Sequence, residues 1–247
     1  DNDVQRGRKI VDGTSTTSVT NTFDVEIDNV PAGTKSIKGL IWKDFATLLP
    51  LAEEVVAEPT KKNVLKILSI GNSFSRNSLE YFYQIAKDGG YDEVTLGIAF
   101  IAGSTLDTHV RQYNNNSVSY IYHKNTSGTW TESTDKKTLV ECIKDEGWDL
   151  ITLQQGSTYS GLAEKYGSHI NTLIGIVNEN KTNPKAEIIW NQTWTYTKDY
   201  SRDDSYATNY NSNQQTMFSG INNAVSVKVK PLVETGALLA GIRHWVE

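Results

Sequence analysis

From Val64 onward, short apolar runs alternate with amphipathic stretches. The apolar runs are VLKILSIG, EVTLGIAF, WDLITLQQ and AEIIWNQTW. Between or after them lie SLEYFYQIAKDGG, LDTHVRQYNNN, TDKKTLVECIKDEG, GSHINTLIGIVNEN and NQQTMFSGINNAVSVKV, which predict helices. Strands that alternate with helices form a parallel sheet covered on both faces. The sequence therefore predicts a three-layer α/β/α domain over residues 64–247, with a hairpin in VSYIYHKNTSGTWTES that turns at NTSG.

The first 57 residues follow a different pattern. TFDVEI and SIKGLIW alternate apolar and polar residues on either side of DNVPAGTK, which predicts a β-hairpin. Two strands do not bury a face alone. The segment resembles the last strands of an immunoglobulin-like sandwich of bacterial surface proteins, and the alternative is a hairpin appendage of the main domain. Residues 57–63 are expected to form a linker, and the polar start at Asp1 is expected to reflect processing of a longer protein.

Composition excludes several classes of function. The formal charge is −5 and no basic stripe is present, so we expect no nucleic-acid partner. No apolar run approaches the roughly 20 residues of a membrane helix. The single cysteine, Cys142, lies in an amphipathic helical pattern and is expected to be a small buried hydrophobe. No two histidines have the spacing of zinc ligands, and no cofactor is expected.

Three predicted strands end in residues that could carry chemistry. They deliver Ser73, Gly103 and the pair Gln154 and Gln155. Because the carboxyl ends of parallel strands share one edge, these residues are expected to lie together. A serine hydroxyl is a nucleophile for acyl transfer, and backbone N–H groups at Ser73 and Gly103 with a Gln amide could hold the oxyanion. Each residue taken alone is as well explained as an ordinary turn or strand-end residue.

Together and in this order, the motifs resemble the SGNH (GDSL-type) hydrolase family, and in particular a bacterial subgroup of uncharacterised domains. KILSIGNSFSRNSLEYF is similar to the first block of that family, IAGSTLDTHV to the second and WDLITLQQGSTYSG to the third. The resemblance implies a flavodoxin-like strand order, Ser73 as nucleophile, Gly103 as backbone oxyanion donor, and Asn72 in place of the usual Asp. The family pattern would have Asn at position 158, where this chain has Thr158, so Gln155, or else Gln154, is expected to supply that donor.

The fourth block of the family, D-x-x-H, has no match. The residues three positions before the four histidines are Leu106, Tyr120, Tyr166 and Gly241, and none is Asp. The expectation is that the chain ends before this block; decay of the active site is the alternative. His109, in the second block, is a candidate for the site edge or else a structural histidine. Trp190, Trp194 and Tyr196 follow the fourth strand and could stack on sugar rings or pack in the core.

The resulting hypothesis is a serine esterase that acts on an acylated, plausibly O-acetylated, carbohydrate or small ester, and that is nearly inactive without its Asp–His pair. Asn72, Trp190, Trp194 and His109 would bind the substrate. The alternative is a catalytically idle glycan-binding or structural module of a bacterial surface protein. The resemblance implies an extracellular or cell-surface location. The sequence leaves the oligomeric state open.

Overall fold

A computed structural model of the 247-residue chain describes residues 37–39, 55–57, 62–201, 204–232 and 238–240. The chain divides into two compact units, Asp1–Lys61 and Lys62–Glu247. In the first unit the described residues form two antiparallel strands, β1 (Ile37–Gly39) and β2 (Val55–Ala57).

The predicted N-terminal hairpin falls largely outside the described residues. Strand β1 lies within SIKGLIW, and its described partner is β2, whereas TFDVEI is outside the described residues. The immunoglobulin-like interpretation and the domain boundaries stay predictions. Of the proposed linker, the structure describes Ala57, Lys62 and Asn63.

In the second unit, the described residues form one sheet of seven strands, in the order β6-β5-β4-β3-β7-β8-β9. Its strands are β3 (Val64–Gly71), β4 (Glu93–Phe100), β5 (Ile121–Asn125), β6 (Trp130–Glu132), β7 (Leu150–Leu153), β8 (Glu187–Gln192) and β9 (Leu238–Ala240). Five of them, β4-β3-β7-β8-β9, pair in parallel. Counted along the domain this order is 2-1-3-4-5, the flavodoxin-like arrangement, so the predicted fold class is confirmed.

The predicted hairpin in the middle of the domain is also confirmed. Strand β5 pairs antiparallel with the edge of β4, and β6 pairs antiparallel with β5. Asn125 Oδ1 accepts a hydrogen bond of 2.8 Å from the Gly128 N–H within the turn. The sheet is therefore mixed, with a parallel centre and an antiparallel hairpin at one edge.

Helices cover both faces of this sheet. They are α1 (Ser73–Leu79), α2 (Phe82–Asp88), α3 (Leu106–Asn114), α4 (Leu139–Lys144), α5 (His169–Asn180), α6 (Ser205–Tyr210) and α7 (Gln214–Ala224), the last continued by a π-helical turn, Val225–Val229. Side chains alternate along β3: Leu65 and Ile67 join the cluster under α2, and Leu68 and Ile70 join the larger core under α3, α4, α5 and α7. Both faces of the central strands are buried, which explains their nearly continuous apolar sequence.

Two local features differ from the sequence prediction. The helix predicted over SLEYFYQIAKDGG is two helices, because α1 begins at Ser73 and ends at Leu79, before the non-helical Tyr81 (φ −107°, ψ 3°). Helix α4 begins only after Thr138, whose hydroxyl accepts from the Glu141 N–H while the Glu141 carboxylate accepts from the Thr138 N–H. This capping box fixes the start of α4 later than the sequence pattern indicates.

Cys142 lies on α4 in the larger core, as the sequence predicts. Burial raises the pKa of its thiol to about 12, so the side chain stays protonated and inert at neutral pH.

In the part of the chain that the structure describes, no helix has the length and apolar character needed to cross a membrane.

Candidate active site

The carboxyl end of β3 turns directly into α1 at Ser73. Asn72 caps this helix: its Oδ1 accepts a hydrogen bond of 3.0 Å from the Phe74 N–H. Ser73 is therefore the first helical residue, and its side chain is exposed. Among the described residues, neither the hydroxyl nor the backbone N–H of Ser73 has a hydrogen-bond partner. Ser73 therefore presents an exposed hydroxyl at this edge of the sheet.

Gly103 lies in the turn that follows the neighbouring strand β4. Its φ is +62°, a left-handed conformation that strongly favours glycine, and it is exposed. Within the described ranges its N–H has no acceptor. The turn is closed by a hydrogen bond of 3.2 Å from the Ser104 N–H to the Ile101 carbonyl.

Asn72 links the two turns. Its Nδ2 donates to the Ser104 carbonyl at 2.9 Å, and its Oδ1 accepts a second bond of 2.7 Å from Gln154 Nε2. Asn72 is only 2% exposed. Hence one buried side chain both caps the Ser73 helix and fixes the residue after Gly103.

A chain of buried hydroxyl and amide groups extends behind the Ser73 turn. Ser75 Oγ donates to Gln154 Oε1 at 2.6 Å and accepts from Ser69 Oγ at 2.8 Å. Thr152 Oγ1 in turn donates to Ser69 Oγ at 2.7 Å, and Asn191 Nδ2 donates to Gln154 Oε1 at 3.2 Å. The strand ends β3, β7 and β8 are thus held to α1 by polar groups that satisfy one another.

The two glutamines face different neighbours. Gln154 lies behind the Ser73 turn, as described above. Gln155 Oε1 instead accepts from the Leu106 N–H at 3.0 Å and the Gly156 N–H at 2.9 Å, and its Nε2 donates to the Lys165 carbonyl at 3.2 Å. These contacts show that Gln155 holds the loop that follows Gly103. Gln154, in contrast, contacts Asn72 and Ser75 in the turn that carries Ser73.

The predicted substrate-binding residues lie in different surroundings. Trp194 is half-buried, and its ring makes an edge contact with Phe74, the residue after Ser73, with 4.2 Å between centroids. Trp190 is 2% exposed and packs against Tyr166 in the larger core, where it offers no open face to a ligand. The sequence left open whether Trp190 stacks on a sugar or packs in the core, and its burial supports core packing.

His109 also lies in the interior. It is 1% exposed, and its Nδ1 is 2.9 Å from the Tyr120 hydroxyl. Burial lowers the pKa of its imidazole to about 4, so the ring is neutral at pH 7. His109 is thus buried against Tyr120, as the structural alternative predicts, and it does not line the cleft that contains Ser73.

Thr158, the position of the missing family Asn, lies in a short 3₁₀ turn, Ser157–Tyr159. Its carbonyl accepts bonds from the Tyr210 hydroxyl at 3.0 Å and from Asn209 Nδ2 at 2.9 Å. Its backbone supports the adjacent helix, and its hydroxyl has no hydrogen-bond partner in the described part of the chain.

A cleft of about 390 Å³ opens from Ser73 along α1, and sequence reasoning missed most of its lining. It is lined by Ser73, Arg76, Asn77, Glu80, Ile98, His123 and Trp130. The signal was present in the sequence: Ser73, Arg76, Asn77 and Glu80 have the spacing of one helix face, and the alternation of the hairpin places His123 on the side of Ile98.

The described residues contain no group of three or more His, Cys, Asp or Glu side chains that could hold a metal ion.

Comparison with known proteins agrees with this architecture. Residues 66–242 match the model of a family described as a domain of unknown function, DUF4886. A crystal structure of a DUF4886 family protein from Bacteroides uniformis ATCC 8492 is 32% identical, with a TM-score of 0.63 over 69% of this chain and 64% of that chain. The chain thus spans less than two thirds of that protein.

Two further solved structures are similar at low identity. A candidate SGNH hydrolase from Slackia heliotrinireducens is 13% identical, with a TM-score of 0.43 over 66% of this chain and 73% of that chain. The acetyl xylan esterase AlAXEase is 11% identical, with a TM-score of 0.36 and the same coverage of 66% and 73%. The activities named for these two structures belong to those proteins. The fold of this chain is established by its own strand order.

No curated protein matches the chain. The family match, in contrast, extends from the first strand of the sheet to the end of β9 and includes every part of the site described above. The chain therefore belongs to the DUF4886 family.

Proposed function

We propose that the second unit is a serine-dependent ester hydrolase, with an acylated carbohydrate or a related small ester as substrate. The observation that carries this proposal is the pairing of an exposed, uncommitted Ser73 hydroxyl with Gly103 at positive φ, held together by Asn72. Ser73 Oγ would attack the ester carbonyl, forming an acyl-enzyme and releasing the alcohol, and water would then release the acid.

The oxyanion would be held by backbone groups. The Ser73 and Gly103 N–H groups have no acceptor among the described residues, and Asn72 and Gln155 fix the loop that carries Gly103. Gln154 supports Asn72 from behind through its Nε2. In this proposal the side-chain amides position the donors.

The proton of Ser73 needs an acceptor. The SGNH resemblance assigns this role to an Asp–His pair, and none of the four histidines has an Asp three residues before it. Without such a base the hydroxyl stays neutral, and catalysis by this chain would be slow. The second candidate, which needs no base, is a catalytically idle glycan-binding or structural module. For either candidate we propose an extracellular or cell-surface location, on the strength of the same resemblance.

Hydrolysis of p-nitrophenyl acetate by the chain and by Ser73→Ala tests the enzyme proposal. We expect the slow hydrolysis by the chain to fall to the uncatalysed background in Ser73→Ala, because the substitution removes the nucleophile on which any remaining catalysis depends. Ser168→Ala is the matched control, since Ser168 is exposed and its side chain makes no cap hydrogen bond to α5.

Labelling with a fluorophosphonate probe, followed by peptide mass spectrometry, gives an independent result. A label on Ser73 supports the nucleophile assignment even where turnover is slow. Equal hydrolysis by the chain and Ser73→Ala, together with no label on Ser73, would reject the esterase in favour of the idle module.

A further inference from the structure

The cleft beside Ser73 has the size and lining of a binding site. One wall is the face of α1 that carries Ser73, Arg76 and Asn77, continued by Glu80 directly after the helix, and the other comes from β4, β5 and β6. Its volume of about 390 Å³ falls in the range of small-molecule sites. Ser73 lies in the lining, so a ligand in the cleft would lie next to the proposed nucleophile.

His123 supplies the observation that points to a ligand. It is 7% exposed, and its Nε2 has no hydrogen-bond partner in the part of the chain that the structure describes. On the other side of the ring, Nδ1 is 3.6 Å from the Glu132 carboxylate. A buried polar atom without a partner costs roughly 1–3 kcal/mol, so such atoms are rare unless something else binds them. A ligand in the cleft would provide the missing partner.

The protonation of His123 decides what this partner can be. Burial, aided by the nearby Arg76 charge, lowers the pKa of the imidazole, although Glu132 acts in the opposite direction. The ring is therefore neutral at pH 7. With its proton on Nδ1, facing Glu132, the Nε2 lone pair is left to accept a hydrogen bond from a hydroxyl group.

The other lining residues favour a neutral, ring-shaped ligand. Trp130 is half-buried against the apolar cluster of Leu79, Ile98 and Phe100 and presents an aromatic surface in the cleft. Arg76, Asn77 and Glu80 are exposed and supply donors and acceptors, and the charges of Arg76 and Glu80 offset each other. A ligand with one apolar face and several hydroxyl groups satisfies all of these surfaces.

We propose that this cleft is a sugar subsite: it binds a neutral pyranose ring, with Trp130 against the face of the ring, His123 Nε2 accepting from one hydroxyl, and Arg76, Asn77 and Glu80 binding others. The ring would be the alcohol part of the ester that Ser73 attacks. In this last respect the inference rests on the proposed function, whereas binding of the free sugar needs no catalysis.

Binding of neutral sugars to the full chain tests the subsite. Methyl β-D-glucopyranoside and methyl β-D-xylopyranoside would be titrated by saturation-transfer NMR and calorimetry, with methyl β-D-glucuronide and D-glucosamine as charged comparisons. We expect the neutral probes to bind most tightly. Trp130→Ala and His123→Ala are each expected to lower the affinity for these probes roughly tenfold, the equivalent of about 1.4 kcal/mol.

Two further variants separate binding from folding. His123→Gln keeps an acceptor near the position of Nε2 and is expected to retain affinity within about threefold. Tyr91→Ala removes an exposed aromatic residue that does not line the cleft, and its affinity is expected to equal that of the parent chain. Circular dichroism confirms that each variant is folded.

The outcomes distinguish the subsite from the enzyme. Absence of neutral-sugar binding, or equal affinity in folded Trp130→Ala and His123→Ala, would overturn the subsite even if Ser73 hydrolyses p-nitrophenyl acetate. Tighter binding of the glucuronide or of glucosamine would also overturn it. Neutral-sugar binding that depends on both residues supports it, including in a chain that shows no hydrolysis.

Discussion

His109 and His123 are both buried, and each has an Nε2 atom without a hydrogen-bond partner among the described residues, but their surroundings differ. His109 is enclosed by the larger core and stacks on Tyr120, with 5.7 Å between ring centroids. His123 borders a cleft. Sequence reasoning could not distinguish them, because a histidine in a helix and one in a hairpin carry no signal of what lies beyond their own element.

His109 makes the stability of the domain depend on pH. Its folded pKa of about 4 lies below the unfolded value of 6.5, so the unfolded state binds the proton more readily. Stability from this group is complete above pH 6.5 and is lost as the pH falls towards 4. We expect a loss of about 2 kcal/mol between pH 7.5 and pH 5, measured by urea unfolding.

His109→Asn is the comparison for this prediction, since Asn can keep a contact with the Tyr120 hydroxyl but does not titrate. The variant is expected to be less stable at pH 7.5 and to show a flatter pH dependence. Identical pH dependence in the two proteins would show that His109 does not cause the acid loss.

The positions of Ser73 and Gly103 were predictable from the sequence, whereas the choice between Gln154 and Gln155 was not. Neighbouring residues at a strand end point to opposite faces of the sheet, and the sequence does not say which face carries the site. The structure turns Gln154 towards α1 and Gln155 towards α3.

At the scale of elements, the junction of β3 and α1 is fixed by the hydrogen bonds of Asn72. Helix α1 begins directly at the strand end because Asn72 caps it, whereas the apolar periodicity alone predicts a start at Ser78. The strands themselves were predicted closely, since their apolar runs are long and buried on both sides. The break between α1 and α2 was missed, because SLEYFYQIAKDGG has no Gly or Pro before its end.

Gly71, the last residue of β3, is expected to tolerate no side chain. A Cβ atom there would lie 2.6 Å from Cδ of Gln154, which is 1% exposed and cannot move aside. Gly71→Ala is therefore expected to lower the free energy of unfolding by about 1–3 kcal/mol, measured by urea titration, and to reduce any Ser73-dependent hydrolysis.

Gly175→Ala is the matched control for Gly71→Ala. Gly175 lies within α5, and a Cβ atom there would have no neighbour within 4 Å. This substitution is expected to stabilise the protein by about 0.5–1 kcal/mol, since alanine favours the helix. If the two variants had equal free energies of unfolding, crowding at Gly71 could not explain a loss of stability in Gly71→Ala.

At the scale of the whole molecule, the alternation of strands and helices predicted a parallel α/β/α domain, but the strand order came from family resemblance. Periodicity reports which residues are buried and does not say which strands are neighbours.

The sheet also depends on a charged network at the opposite end from Ser73. Lys124 Nζ lies 2.8 Å from Asp145 and 2.6 Å from Glu146, and Lys66 lies 2.8 Å from Glu146.

Lys124→Met tests how much this network stabilises the sheet. Burial raises the pKa of Asp145 and Glu146, but the contacts with Lys124 outweigh it, so both pKa values lie below their usual range. Their stabilisation is present above the unfolded pKa and is lost as the pH falls through the folded pKa. We expect Lys124→Met to cost about 1–2 kcal/mol at pH 7, a value reduced for partial solvent exposure, and less below pH 4.

Arg111→Gln provides the control, because its pair with Asp107, at 3.5 Å, is exposed. Its unfolding free energy is expected to remain within about 0.5 kcal/mol of the parent chain. The assigned role of the network would be contradicted if Lys124→Met were as stable as Arg111→Gln. It would also be contradicted if the loss of unfolding free energy in Lys124→Met did not change with pH.

The antiparallel hairpin of β5 and β6 has a consequence for how this domain could diversify. It contributes His123 and Trp130 to one wall of the cleft, while the turn that carries Ser73 belongs to β3 and α1. Related chains could therefore exchange hairpin sequences, or alter the length of the turn at NTSG, without disturbing the residues around Ser73. Ligand preference and chemistry would then evolve as separable traits, and a hairpin graft between two relatives would carry the preference with it.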